Sequence, residues 1–274
     1  MIGLIVLALP TLLHKAGLHP EYHGEIAQVP AGKRALIIAT NHSVLSAPGE
    51  TSGDATGVMA SEMTHPYYNF LDARVEVDIA SIKGGEIPVD PQTLSRIVRT
   101  PEDDRFLADS IFLAKVKNSL TIVDVDVTQY DIIFIAGGWG AAYDLGYSTE
   151  LGEKITEAYY ADKQAVIGGV CHGVLGLIKA KDRDGNLLIA GRRMTGVTDK
   201  QIKELGIIDI TPQHPEAELR KAGVIFESQT AFRDLFATHV VVDDEERFVT
   251  GQNQNSGHET AQKMMAIVAK NSML

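Results

Sequence analysis

Residues 164–177 read QAVIGGVCHGVLGL. The first half is an apolar run of strand type. It breaks at Gly169-Val170-Cys171-His172-Gly173 and resumes as VLGLIKA with helical spacing. Glycine–x–nucleophile–x–glycine between a strand and a helix is the pattern of a nucleophile elbow, here with cysteine in place of serine. So tight a turn needs small neighbours, which accounts for the flanking glycines. It lifts the side chain to the carboxyl edge of the sheet, where open α/β sheets carry their sites. Cys171 would then stand at a helix N-terminus, whose unpaired N–H groups favour thiolate, so a lowered pKa is expected. The plainer reading, a buried structural cysteine, leaves both glycines without a reason.

Outward from this turn, short apolar runs alternate with helical patterns. Strands are expected over 34–39 (RALIIA), 75–80, 131–136 (DIIFIA), 224–226, 239–242 and 247–250. Two more short strands are expected within 185–197, around Ala190-Gly191. Helical spacing marks 57–71, 101–117, 150–160 and 256–270, and short helices begin at Asp199 and Pro215. The stretch 81–100, with scattered Gly and Pro, reads as a long loop. Strands alternating with helices predict an α/β chain whose mostly parallel sheet is covered by helices on both faces.

The chain has 274 residues, 45% hydrophobic and 22% charged, which excludes disorder and collagen-like structure. No internal repeat or linker separates two halves. The reading is a lead-in over 1–30 and one domain over 31–274. Asp and Glu outnumber Lys and Arg by 36 to 25, a net charge of −11, so non-specific nucleic-acid binding is not expected. The single cysteine excludes an internal disulfide and a multi-cysteine metal site. Residues 1–13 (MIGLIVLALPTLL) are short of the ~20 apolar residues that a spanning helix needs. They also lack the basic start and cleavage site of a signal peptide. A docking or dimer-contact segment, a weak membrane-surface anchor and the remnant of a leader all fit. A cytoplasmic protein is expected, with membrane association through 1–13 as the alternative.

Other candidates gather around the elbow. Gly137-Gly138-Trp139-Gly140 ends the DIIFIA strand, and bare glycine N–H groups there would serve as oxyanion donors. Tyr143 and Asp144 follow and would line the same cleft, unless Asp144 caps a turn. His172 offers a backbone N–H to an oxyanion and a ring to move a proton. The alternative is a histidine that only packs under the turn. By periodicity alone, Glu62 reads as a solvent-facing helix residue.

Taken together, AGGWGAAYDL, VIGGVCHGVLGL, TGVMASEMTHPYYNFLDARVEVDIAS, HPEAEL and VTGQNQNSGHETAQKMM resemble the ThiJ/PfpI superfamily. Within that glutamine amidotransferase-like class, they are most similar to the heat-shock/glyoxalase III subgroup. The likeness covers roughly 33–270. It implies a flavodoxin-like, doubly wound fold and a homodimer. It also implies cofactor-free conversion of methylglyoxal, or a related 2-oxoaldehyde, to lactate without glutathione. Holdase chaperoning and removal of early glycation adducts are related activities of the superfamily.

The resemblance places a catalytic glutamate on Glu62, beside Cys171 and His172, with Gly138, Trp139 and Gly140 at the substrate. Cys171 would add to the aldehyde, and Glu62 would move a proton between adjacent carbons. Met59 and Met63 beside Glu62 would raise its pKa. Two departures stand out. The subgroup commonly has His where this chain has Trp139. An additional acid after the elbow has no clean counterpart, with Asp199 and Glu204 both near the place.

Rival readings remain. His214-Pro215-Glu216 has the His-x-Glu form of a glutamine amidotransferase, but it also reads as a helix start. A peptidase of the same superfamily is another. A redox sensor, with Cys171 oxidised to sulfinic acid, is a third. No metal or other cofactor is expected. His19 and His23 are the one pair at helical ligand spacing and read as surface histidines without a third ligand.

Overall fold

The computed structural model describes residues 2–273, with side chains over 9–273. The chain opens with α1 (Ile2–Lys15), then β1 (Arg34–Ala39), β2 (Val44–Leu45), β3 (Asp54–Ala55), α2 (Ala60–Asp72) and β4 (Glu76–Ser81). Next come α3 (Pro101–Ala108), α4 (Ser110–Lys117), β5 (Leu120–Thr121), β6 (Ile132–Ile135), α5 (Ala141–Asp144) and α6 (Thr149–Tyr160). After β7 (Val166–Val170) follow β8 (Arg193–Met194), α7 (Asp199–Glu204), α8 (Pro215–Lys221) and β9 (Ile225–Phe226). The chain closes with β10 (Val240–Val242), β11 (Phe248–Gly251) and α9 (Gly257–Asn271).

Seven strands form one sheet in the order β10-β11-β7-β6-β1-β4-β5. All its pairings are parallel except β10 on β11. β1 is an interior strand buried on both faces, as a parallel strand between helical layers must be. Ala35, Ile37 and Ala39 face the layer of α2 and α9, where Met63, Phe70 and Met264 lie. Leu36 and Ile38 face the opposite layer, with Leu151 and Ile155 of α6. This is the doubly wound fold expected from the alternation. From β1 the chain runs to β4 on one side, while β6 and β7 build the other. The order therefore reverses between β1 and β6, the position where such sheets leave a crevice.

Several local expectations are corrected. The 101–117 pattern is two helices, because the Asp109 side chain accepts from the N–H of Ile111 and Phe112, each at 3.0 Å, and starts a second helix. A capping residue inside an apolar pattern is invisible to periodicity. The helix predicted from Gly57 starts at Ala60, because Val58 is held extended between Pro88 and Asp90 by backbone hydrogen bonds of 2.8 and 3.0 Å. Within 185–197 only β8 forms, and Ala190-Gly191 lies in a turn with Gly191 at φ +76°. Among the described residues, no helix is long and apolar enough to cross a membrane.

Candidate active site

β7 ends at the elbow. Cys171 has φ +56°, a strained value for a non-glycine residue, and the seven residues Cys171–Leu177 form a 3-10 helix rather than the expected α-helix. Gly137, at the end of neighbouring β6, permits the next contact. A Cβ there would lie 2.5 Å from Glu62 Oε2 and 2.8 Å from the N–H nitrogens of His172 and Gly173. Gly138 has φ +97°, and a side chain on it would run into the backbone of Met59. The bare strand end lets α2 bring Glu62 down to the elbow.

Glu62 is therefore fully buried, and the solvent-facing reading is wrong. α2 is covered on nearly every side, between the sheet, α3 and α9. The Glu62 carboxyl lies beside Cys171 and the backbone of Gly137 and Gly138. Neither oxygen has a fully formed hydrogen bond within the described residues. Burial outweighs these neighbours and raises Glu62 to about 8.

Cys171 departs from expectation. It is only 6% exposed, and burial, with the Glu62 charge next to it, pushes the thiol up rather than down. The N–H groups of His172 and Gly138 aim at the sulfur and oppose this rise. The two groups are coupled. With its raised pKa, Glu62 holds a proton at neutral pH, which removes the repulsive charge. Its O–H then becomes a donor to sulfur, so the pair shares protons and titrates as a unit.

His172 Nδ1 lies 3.5 Å from Cys171 Sγ. Burial, reinforced by nearby His214, lowers His172 to about 3, so the ring is neutral and gives no thiolate–imidazolium ion pair. Among the described residues, the His172 ring has no hydrogen bond to an acid, and its Nε2 has no partner. Glu204 accepts from the N–H of Asp234 at 2.9 Å, and the N–H of Asp199 is held by Glu216 at 3.1 Å. His214 precedes α8, with its Nε2 at 3.1 Å from the Thr211 carbonyl, so His214-Pro215-Glu216 is the helix start it resembled.

Gly138 and Trp139 line a cavity of about 220 Å³ over Cys171 and His172. Gly140 does not, and its N–H is taken by the Gly57 carbonyl at 3.1 Å, which removes it as an oxyanion donor. Tyr143 and Asp144 also lie outside the cavity lining. Tyr143 stacks on His42, and Asp144 accepts from the N–H of Asn41 at 2.8 Å. The cavity also has walls that the sequence did not signal. Leu13 and Leu18 reach it from the N-terminal segment, and Val98 from the loop after β4.

A second cluster lies further along α2. His65, Glu102 and His258 bring ligand-type atoms within 4.8 Å of one another, a grouping the sequence reading missed because the three are far apart in the chain. The hydrogen bonds define its protons. The Ala27 N–H donates to Gln262 Oε1, so Gln262 Nε2 donates to Asn69 Oδ1. Asn69 Nδ2 therefore donates to the His65 carbonyl and to His258 Nδ1 at 2.8 Å. The His258 proton sits on Nε2, facing Glu102 at 3.9 Å. The His65 and His258 rings stack 3.9 Å apart at 20°, so their lone pairs run side by side rather than converging. Glu102 lies 3.7 and 3.9 Å from the two Nε2 atoms, beyond hydrogen-bonding distance, and a metal on His258 Nε2 would have to displace that proton.

His19 joins the same cluster. Residues 20–24 are not helical, and His19 turns inward, with Nε2 at 3.2 Å from Ser61 Oγ and its ring 5.8 Å from His65. His23 stays in solvent.

Comparison with known proteins places this arrangement. Glyoxalase 3 of Candida albicans is 29% identical over 227 residues, covering 79% of this chain and 91% of that protein. The glutathione-independent glyoxalase HSP31 of Saccharomyces cerevisiae is 29% identical, covering 84% and 96%. Among solved structures, the Francisella tularensis Rapid Encystment Protein 24 KDa has a TM-score of 0.78 at 33% identity, covering 86% and 99%. Glyoxalase III from Candida albicans has a TM-score of 0.75 at 27% identity, covering 85% and 96%. The model of the DJ-1/PfpI family matches residues 54–267, a span that runs from β3 through Glu62 and the elbow into α9. On that match, this chain belongs to the DJ-1/PfpI family.

Proposed function

We propose that this chain is a glutathione-independent glyoxalase that converts methylglyoxal, or a related 2-oxoaldehyde, to the 2-hydroxy acid without a cofactor. The observation that carries this reading is the buried Glu62 carboxyl against the Cys171 thiol, which stands in the wall of a cavity. In the reactive form the pair holds one proton, with sulfur as thiolate and Glu62 neutral. Sulfur adds to the aldehyde carbon, and the Glu62 proton goes to the new alkoxide, giving a hemithioacetal. The Glu62 carboxylate then takes the hydrogen of that carbon, and an enediolate forms. The N–H groups of Gly138 and His172 stabilise its developing charge. Glu62 returns the proton to the neighbouring carbon while the hydroxyl proton of the hemithioacetal carbon passes to the neighbouring oxygen, which leaves a thioester of the hydroxy acid. Water hydrolyses the thioester, releasing the acid and restoring the thiol. Atoms balance as aldehyde plus water to acid.

The test is lactate formation from methylglyoxal without glutathione or added metal, with Cys171→Ala and Glu62→Gln alongside. Lactate from the wild type only supports the reading; equal lactate from either variant overturns it. We take 31–274 as the catalytic domain of a cytoplasmic homodimer, and sedimentation velocity at micromolar concentration tests that assembly.

A further inference from the structure

The cavity over Cys171 offers more room and less polarity than a three-carbon aldehyde needs. Its volume is about 220 Å³, and Leu13, Leu18, Val98, Trp139, Val197 and Leu235 contribute to its lining. No Lys or Arg is among the described lining residues. Most polar side chains there are already engaged. Asp90 accepts from the Thr56 hydroxyl and the Gln92 N–H, both at 2.9 Å. Gln201 and Gln254 bond to each other at 3.3 Å. Gln201 also accepts from Asn253 at 3.0 Å, and Gln254 donates to the Leu235 carbonyl at 2.9 Å. Thr93 accepts from the Ala60 N–H and donates to the Asp90 carbonyl. Besides the exposed Gln92 amide and the Trp139 indole N–H, the polar groups left free among the described lining residues are those at Cys171, His172 and Gly138, where a dicarbonyl group would lie.

Part of the apolar wall comes from outside the sheet and its helices. Residues 13–19 are strapped across the carboxyl edge. The Gly17 carbonyl accepts from Asn255 Nδ2, and the His19 N–H donates to Asn255 Oδ1, each at 2.8 Å. The Leu18 N–H donates to the Leu13 carbonyl at 3.0 Å, which turns both leucines toward the cavity they line.

Resting on the glyoxalase reading, we infer that this site selects 2-oxoaldehydes carrying an aromatic or branched apolar group over methylglyoxal. The strap at Leu13 and Leu18 is the element that sets this preference. The apolar substituent lies against the strap and Trp139, while the aldehyde reaches Cys171.

The experiment compares kcat/KM for phenylglyoxal, read as mandelate, with that for methylglyoxal, read as lactate. The wild type is expected to prefer phenylglyoxal by about tenfold or more, since each buried methylene is worth several-fold. Leu13→Ala and Leu18→Ala should each lower that ratio about fivefold, through KM rather than kcat. Leu13 is only partly buried, so its variant carries the test if Leu18→Ala melts. A wild-type ratio at or below one, or a ratio that neither variant moves, overturns the inference.

A second measurement separates this preference from the reaction itself. Cys171 alkylation by N-benzyl chloroacetamide is compared with alkylation by chloroacetamide. Faster benzyl labelling without turnover of either aldehyde would sink the glyoxalase reading and keep the apolar selectivity. Methylglyoxal turnover with no benzyl advantage would do the reverse.

Discussion

At pH 7 an unfolded chain carries Glu62 as a carboxylate, because its ordinary pKa is 4.5, while in the folded protein it keeps its proton up to about 8. The folded state binds more protons between those values, so stability falls as pH rises through that window. Each unit is worth about 1.4 kcal/mol, giving about 3 kcal/mol at pH 7. Glu62→Gln should therefore raise stability at pH 7 by about 2 kcal/mol and flatten its decline between pH 5 and 8, as read by urea unfolding. A destabilised variant would mean that burial is not the dominant influence on this carboxyl. The same substitution should lower kcat/KM by about 10²–10⁴, the range of a general acid–base group. In the wild type both groups of the pair are protonated at pH 7, so kcat/KM should rise through about pH 8 as the one-proton form fills. A profile already falling at pH 7, or flat from pH 6 to 9, would contradict the one-proton pair. Of these residues, the elbow cysteine was legible from its own pentapeptide. Glu62 was legible only through resemblance, because its burial depends on α3, α9 and a bare strand end that no helical period encodes.

Elements bring further consequences. Asp109 starts α4 by accepting from two backbone N–H groups and also accepts from the Tyr68 hydroxyl at 3.2 Å. Asp109→Ala should cost about 1–2 kcal/mol of stability, and kcat/KM should hold within about twofold because the residue lies off the cavity. A thermal melt with parallel kinetics checks both halves. The strand end of β6 is the opposite case. Gly137→Ala would place a methyl 2.5 Å from Glu62 Oε2, forcing the carboxyl away from Cys171. Misplacement of about 1 Å at a reacting group costs on the order of 10²-fold, so lactate formation should fall by about that much. Unchanged activity would show that the glutamate tolerates displacement. The strands and long helices were legible because apolar period and turn residues act locally. The break at Asp109 was not, since a capping side chain competes with the helix without altering its apolar stripe.

At the scale of the whole molecule, the sheet order brings the ends of β6 and β7 under α2, and the N-terminal segment closes the cavity from above. Asn255 holds that segment with two hydrogen bonds of 2.8 Å. Replacing it with Leu removes both, at about 1 kcal/mol each, so opening should rise by about thirtyfold. Iodoacetamide labelling of Cys171 should accelerate to match, and an unchanged rate would mean that access does not pass the strap. The α/β class, the elbow and its glycines were readable in the chain, because backbone turns and periodicity are set by neighbouring residues. Packing between distant segments, by contrast, pushes Cys171 up rather than down, occupies the Gly140 N–H, turns His19 inward and sets Leu13 and Leu18 in the cavity wall. Those outcomes depend on which distant segments exclude water from a group and which take its hydrogen bonds, and neither is written in the residues beside it.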